Sequence, residues 1–155
     1  MSRVADRLAE LGLTLPPVAA PVAAYVPALV DGSLVWTSGQ LPFVDGALPA
    51  TGLVGDGEGL VPAQDAAQLA RLCALNALAA IGSVADLDSV RRIVKVVGFV
   101  ASAPGFGGQP AVVNGASELL GQVFGDAGRH ARSAVGVAGL PMGSPVEVEV
   151  VASLA

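Results

Sequence analysis

Arg132, Glu147 and Glu149 are charged residues in a stretch otherwise suited to packing, HARSAVGVAGLPMGSPVEVEV, residues 130 to 150. A guanidinium presents a planar fork of N–H donors that grips a carboxylate through two parallel hydrogen bonds. A carboxylate nearby can order a water molecule or move a proton. Period-two geometry groups Arg132 with Ala134, Gly136 and Ala138, and puts Ser133 with Val135 and Val137 on the other face. The valine face is expected to pack, while the arginine face leaves open volume beside a fixed cation. In the following strand Val146, Val148 and Val150 take one face, and Glu147 and Glu149 the other. A structural salt bridge between Arg132 and a glutamate fits the same residues, so binding chemistry and ion pairing both stay open here.

Several elements must position these groups. Ser2 to Leu11 has Val4, Leu8 and Leu11 at helical spacing, with Ser2 to cap the helix and Gly12 to end it. Pro16, Pro17 and Pro21 then lead the chain in an extended form. AYVPALVDGSLVWTSGQ, residues 24–40, reads as two strands about an Asp31-Gly32 turn, and Val44-Asp45-Gly46-Ala47 offers a second turn. Pro62 to Ile81 is a helix whose apolar face holds Ala66, Leu69, Cys73, Ala77 and Ala80, with Pro62 suited to the first turn and Gly82 to the stop. Residues 91–101, RRIVKVVGFVA, form a β-branched strand on which Lys95 shares a face with Ile93, Val97 and Phe99. A second long helix spans Pro110 to Phe124, with Val112, Ala116, Leu119, Leu120 and Val123 inward and Asn114 off that stripe. Strands from Arg132 to Ala138 and from Pro145 to Ser153 complete an α+β architecture, a mixed sheet with helices on one face.

At 155 residues the chain is expected to be a single domain spanning 1–155. It is 53% hydrophobic but only 4% aromatic, a charge-poor composition that implies part of the outside is covered, most simply by self-association. Eight basic residues against 13 acidic ones give a net charge of −5 and no basic stripe, so no nucleic-acid partner is expected. Val18 to Val30 is apolar but too short to span a bilayer and is interrupted by Pro21 and Pro27, so a cytoplasmic protein without a membrane partner is expected. The lone Cys73 excludes an internal disulfide and fits a reducing compartment.

Other candidates for chemistry are weaker. GLVGDGEGL, residues 52–60, alternates glycine with acids that would repel a phosphate, and no Gly-Lys-Ser/Thr follows. Cys73 lies on a helix's apolar face and reads as a small buried hydrophobe. Lys95, the only lysine, could form a Schiff base but more simply snorkels from its strand. His130, the single histidine, could be an acid/base at the edge of a site or a surface or interface residue.

ARSAVGVAGLP followed by PVEVEVVA resembles the C-terminal signature of the Rid family (YjgF/RidA, also labelled L-PSP endoribonuclease). VWTSGQLP, residues 35–42, is similar to its N-terminal signature and RIVKVVGFV to its middle strand. With Asn114, these segments cover most of the chain in the family's order. The resemblance implies a chorismate-mutase-like fold and a homotrimer with ligand sites in clefts between subunits. It further implies hydrolytic deamination of reactive enamine/imine intermediates to 2-keto acids and ammonia, without metal or organic cofactor. By position, Arg132 would hold the substrate carboxylate and Glu147 the attacking water, while Tyr25, Ser38, Gly39 and Asn114 would line the pocket. Ala134 stands where RidA-type members often carry cysteine. The added N-terminal helix and the extra residues GGQPAVV, 107–113, mark a divergent subgroup.

An α-imino acid is already electrophilic, so its hydrolysis requires positioning, a carboxylate clamp and an activated water, but no protein nucleophile. A non-catalytic trimer that binds small keto or aromatic carboxylates would need the same clamp. The endoribonuclease of the older label fits poorly with one histidine, one lysine and an acidic chain.

Overall fold

Strands β1 (Ala28–Asp31), β2 (Leu34–Thr37), β3 (Val90–Ala101), β4 (Ala131–Val137) and β5 (Val146–Leu154) form one sheet in the order β1-β2-β5-β3-β4. These come from a computed structural model describing residues 2–18 and 24–155, so Pro21 lies outside the described residues. All neighbours are antiparallel except β3 and β4, which run parallel and therefore need a crossover. Helix α3 (Gln109–Phe124) supplies it, and α2 (Ala63–Gly82) joins the hairpin region to β3. The chain is thus an α+β domain with a mixed sheet, and its two long helices lie on one face.

That face is the core. Val35, Ile93, Val96, Val100, Val146, Val148, Val150 and Ala152 are buried from the sheet, against Leu69, Leu78 and Ile81 of α2 and Val112, Leu119 and Leu120 of α3. Fully burying a leucine or isoleucine contributes about 1.5–3 kcal/mol. Few aromatics are needed because α2 is alanine-rich and α3 approaches it closely. A Cβ on Gly115 would run into the Ala67 backbone carbonyl, so only glycine allows the two helices this contact. All five residues expected on the inner face of α2 are buried, and so are the five expected on α3.

The first helix, α1, spans Arg3–Glu10 with Ser2 as its N-cap, the Ser2 hydroxyl accepting from the Ala5 amide at 3.2 Å. Asp88 ties the same end down from across the chain, accepting from the Arg3 and Val4 amides at 2.9 Å each. Val4 and Leu8 are buried beneath it.

Local details depart from the sequence reading. The β1–β2 turn is Gly32-Ser33, with Asp31 the last strand residue, and Gly32 at φ +61° supplies the left-handed position. Pro62 is the N-cap of α2 and Gly82 its last residue. Lys95 does not share a face with Ile93: a bulge between them makes Val94 an extra residue, which turns Ile93 into the core and Lys95 outward with Val97 and Phe99. Within the segment 107–113, Gln109 to Val113 open α3, with Val112 and Val113 buried. No helix among the described residues is long and apolar enough to cross a membrane.

Candidate functional site

Arg132 lies on β4, an edge strand of the sheet. Its register partner on β3 is the buried Val96, so its side chain emerges on the helix side and not toward solvent above the open face. This reverses the expectation for β4: Ala134 packs against the core, whereas Val135 is 41% exposed on the open face. The register with β3 decides this, since it sets Arg132 and Ala134 beside Val96 and Gly98 on the helix side and Val135 beside Phe99 on the open face.

On the helix side the guanidinium meets three groups of α3. Its Nη1 donates to Asn114 Oδ1 at 2.8 Å and to Ser117 Oγ at 3.2 Å, and its Nη2 donates to the Pro110 carbonyl at 3.3 Å. Residues 110, 114 and 117 follow i, i+4, i+7 and so line one stripe of the helix. Of the five N–H groups of an arginine these bonds engage three, leaving two, the Nε–H and one on Nη2. Those two make a side-on fork matched to a carboxylate. Within the chain Arg132 makes no ion pair with a glutamate: among the described residues the ion pairs are Arg7–Glu10 and Arg129–Asp126, both exposed.

Ser117 extends this arrangement. Its hydroxyl lies 2.9 Å from His130 Nε2, while His130 Nδ1 lies 2.6 Å from the Gly128 carbonyl. Since a carbonyl only accepts, Nδ1 carries a proton and donates to it. Ser117, Gly121, Gly128, Arg129, His130 and Arg132 together line an open depression of about 340 Å³. His130 is therefore neither a free surface residue nor remote from Arg132. Ser117 escaped the sequence reading; its spacing of three from Asn114 on a helix was the available signal.

Glu147 belongs to a different face. On β5 its register partner is Phe99, and Glu149 pairs with Val97, so both carboxylates stand on the open side of the sheet. After β2 the chain bends to bridge Gln40 with Val148 through mutual backbone bonds of 2.8 and 3.0 Å. Asn76 of α2 anchors the next residues by donating to the Leu41 and Phe43 carbonyls. This bend lays Gly39 directly against the Glu147 carboxylate, and a Cβ at position 39 would collide with it. Burial, with Glu149 beside it, pushes the half-buried Glu147 carboxyl above its ordinary value. Ser38 is held by its hydroxyl to the Val26 carbonyl at 2.6 Å and by its amide to the Pro27 carbonyl at 2.8 Å, and Tyr25 is 54% exposed next to this segment.

The candidate residues thus form two groups. Glu147, Gly39, Ser38 and neighbouring Tyr25 lie toward the β1–β2 end; Arg132, Asn114 and Ala134 lie at the β4 edge. β3 separates β5 from β4, so the strands bearing Glu147 and Arg132 are about 10 Å apart, with the side chains on opposite faces. Lys95 donates to Ser133 Oγ at 3.1 Å on the open face, and Cys73 is buried with its thiol pushed up by burial and by the field of Glu147, which suits no nucleophile. Among the described residues no three His, Cys, Asp or Glu side chains are grouped to hold a metal ion.

Comparison with known proteins finds that residues 5–154 match the family described as "YjgF/chorismate mutase-like, putative endoribonuclease". Protein TCP17 of Trypanosoma cruzi is 45% identical over 98% of this chain and 94% of its own length. The crystal structure of Atu1372 from Agrobacterium tumefaciens is 44% identical, covers 99% of this chain and 93% of that one, and superposes with a TM-score of 0.90. E. coli TdcF, solved with bound serine, is 26% identical with a TM-score of 0.63, covering 91% of this chain and 94% of that one.

Proposed function

The chain belongs to the YjgF/chorismate mutase-like (Rid) family, and from that premise we propose that it binds a small α-imino or α-keto carboxylate and hydrolyses the imine to a 2-keto acid and ammonia. The observation that carries this reading is the unspent side-on fork of Arg132, held rigid by three α3 contacts. A preorganised fork binds a carboxylate without the cost of ordering the side chain at the moment of binding. The serine bound to TdcF is itself a small amino-acid carboxylate. Glu147 supplies the second function: a half-buried carboxyl with its basicity raised is a better proton acceptor for a water attacking the imine carbon. That water adds to carbon as the C=N pair moves to nitrogen, and Glu147 takes the water's proton and returns it to nitrogen, giving the carbinolamine. Glu147 then relays the hydroxyl proton to nitrogen, so that the C=O bond forms, the C–N bond breaks and ammonia leaves. Tyr25, Ser38 and Gly39 complete the wall around Glu147, and Asn114 orients Arg132.

One chain separates Arg132 from Glu147, and their union requires another copy. The β4 edge of one protomer set beside the β1–β2 end of the next would close the cleft, and the family's homotrimer supplies that neighbour. The open sheet face favours such packing: Leu29, Trp36 and Val135 are 48%, 47% and 41% exposed there. A non-catalytic carboxylate-binding trimer needs the same fork, whereas RNA cleavage would have to work against a net charge of −5.

The test is accelerated ammonia release from an imine generated freshly in the presence of the purified protein. The wild type is expected to accelerate it and to bind the keto-acid product. Glu147→Gln should slow release while pyruvate still binds, and Gly39→Ala should act similarly by displacing the carboxylate. Arg132→Lys should weaken pyruvate binding roughly ten- to a hundredfold, the worth of a charged bidentate bond. Pyruvate binding with no acceleration would reject turnover and leave the binding protein.

A further inference from the structure

We propose that Ser117 and His130 make the Arg132 grip proton-coupled, so that the bound carboxylate is held more tightly when the imidazole is charged. This rests on the reading of Arg132 as the carboxylate fork and adds its regulation. The hydrogen bonds run in series: Arg132 Nη1 to Ser117 Oγ at 3.2 Å, Ser117 Oγ to His130 Nε2 at 2.9 Å, and His130 Nδ1 to the Gly128 carbonyl at 2.6 Å. Because Nδ1 is committed as a donor to a carbonyl, Nε2 is the nitrogen that titrates. With Nε2 bare, the Ser117 hydroxyl donates to it and its oxygen accepts from Arg132. With Nε2 protonated, the Ser117 bond reverses: the oxygen now accepts from both His130 and Arg132, and its own proton is free for the depression.

Protonation therefore changes two things in one place. The depression gains a hydroxyl donor, and its wall gains a cation beside Arg132 and Arg129. A carboxylate bound on Arg132 lies beside that cation and attracts it. Linkage then requires that the anion raise the affinity of His130 for a proton, and that the proton raise affinity for the anion by the same factor. Glu147 of a neighbouring copy, which the proposed cleft brings to the same ligand with its carboxyl raised, would favour the anion in acid as well, and Glu147→Gln removes that contribution. The other charged groups nearby do not supply this effect. Asp126, on the turn before His130, is exposed and lies 3.8 Å from Arg129. Glu118, the one charged residue of α3, is exposed and does not line the depression. Lys95 of β3 faces the opposite side of the sheet, where it donates to Ser133, and Arg7 and Arg71 are engaged by Gln122.

His130 is the only histidine, so one pair of imidazole resonances reports its titration without assignment ambiguity. The experiment follows those resonances by NMR between pH 5.5 and 8, with and without saturating pyruvate, and measures pyruvate affinity by calorimetry over the same range. Pyruvate stays ionised throughout, since its electron-withdrawing 2-keto group makes it a stronger acid than an ordinary carboxylic acid, so any change belongs to the protein. The expected result is an upward shift of the His130 midpoint on binding, and an affinity roughly three- to tenfold higher at pH 5.5 than at pH 8. The decisive comparison is made in a Glu147→Gln background, which still binds pyruvate and lacks the other carboxyl of the cleft. There His130→Gln keeps a neutral side chain able to bond Ser117 and should bind pyruvate with affinity flat across the range, while His130 intact keeps the rise in acid. His130→Asn serves the same purpose should the first variant not fold. An unmoved midpoint with pyruvate bound and weakened by Arg132→Lys would overturn the coupling and leave the fork intact. Pyruvate binding unaffected by Arg132→Lys would overturn both.

Discussion

Glu147 and Asp88 are carboxylates pushed in opposite directions by their surroundings, and each leaves a distinct mark on pH dependence. Glu147 is raised from 4.5 by burial first and by Glu149 second. In the window above that value the folded protein holds a proton that the unfolded chain has lost, so stability falls as pH rises through the folded value. Glu147→Gln is therefore expected to raise the melting temperature at pH 7, with the gain vanishing as pH falls below about 4. A general base must be deprotonated, so the acid limb of the hydrolytic rate should lie above the ordinary glutamate range. Removing the neighbouring charge with Glu149→Gln should move that limb to lower pH. A limb insensitive to Glu149 would mean that another group controls the rate.

At the scale of elements, α3 is the critical one, since a single helix carries Pro110, Asn114 and Ser117 to Arg132 and buries its other side against α2. The closeness of that packing depends on Gly115, whose missing side chain admits the Ala67 carbonyl. Helix α1 leans on α3 as well, through Arg7 Nε to the Gln122 carbonyl at 2.7 Å. Its start depends on Asp88, whose carboxyl is held below 3.8 chiefly by the Val4 amide bond, and further by that of Arg3. Stability from a lowered carboxyl is present above the unfolded value and is lost as pH falls through the folded one. Asp88→Asn should accordingly lower the melting temperature at pH 7 and speed amide exchange over Arg3–Glu10, with the thermal difference closing in acid. Unchanged exchange would mean that Val4 and Leu8 hold α1 unaided.

For the whole molecule, the decisive matter is what covers the open sheet face. Trp36 is the only tryptophan and is 47% exposed on that face, so its fluorescence reports the cover directly. A trimer should scatter light as three times 15.2 kDa and show Trp36 emission that shifts red on dilution to monomer. Trp36→Glu should dissociate it and abolish imine hydrolysis while Arg132 and Glu147 remain in place. A stable, active monomer at micromolar concentration would reject the shared cleft.

Periodicity in the residues was enough to delimit the elements: the valine and alanine patterns marked α2, α3, β3 and β5, and Asp45-Gly46 marked its turn, because local geometry decides which side chains can share a face. Amphipathic pattern also identified the buried set of both helices. It could not say which side of the sheet those faces would meet. Lys95 and Ile93 look equivalent in sequence, and only the bulge at Val94, a matter of pairing with β5, sends them to opposite sides. Likewise Arg132 and Glu147 are fifteen positions apart on adjoining segments of sequence, yet β3 enters between their strands and register points them away from each other. Residue chemistry was thus legible from the chain itself, while the partners of each charge were decided by strand order and register, which depend on contacts between residues far apart in sequence.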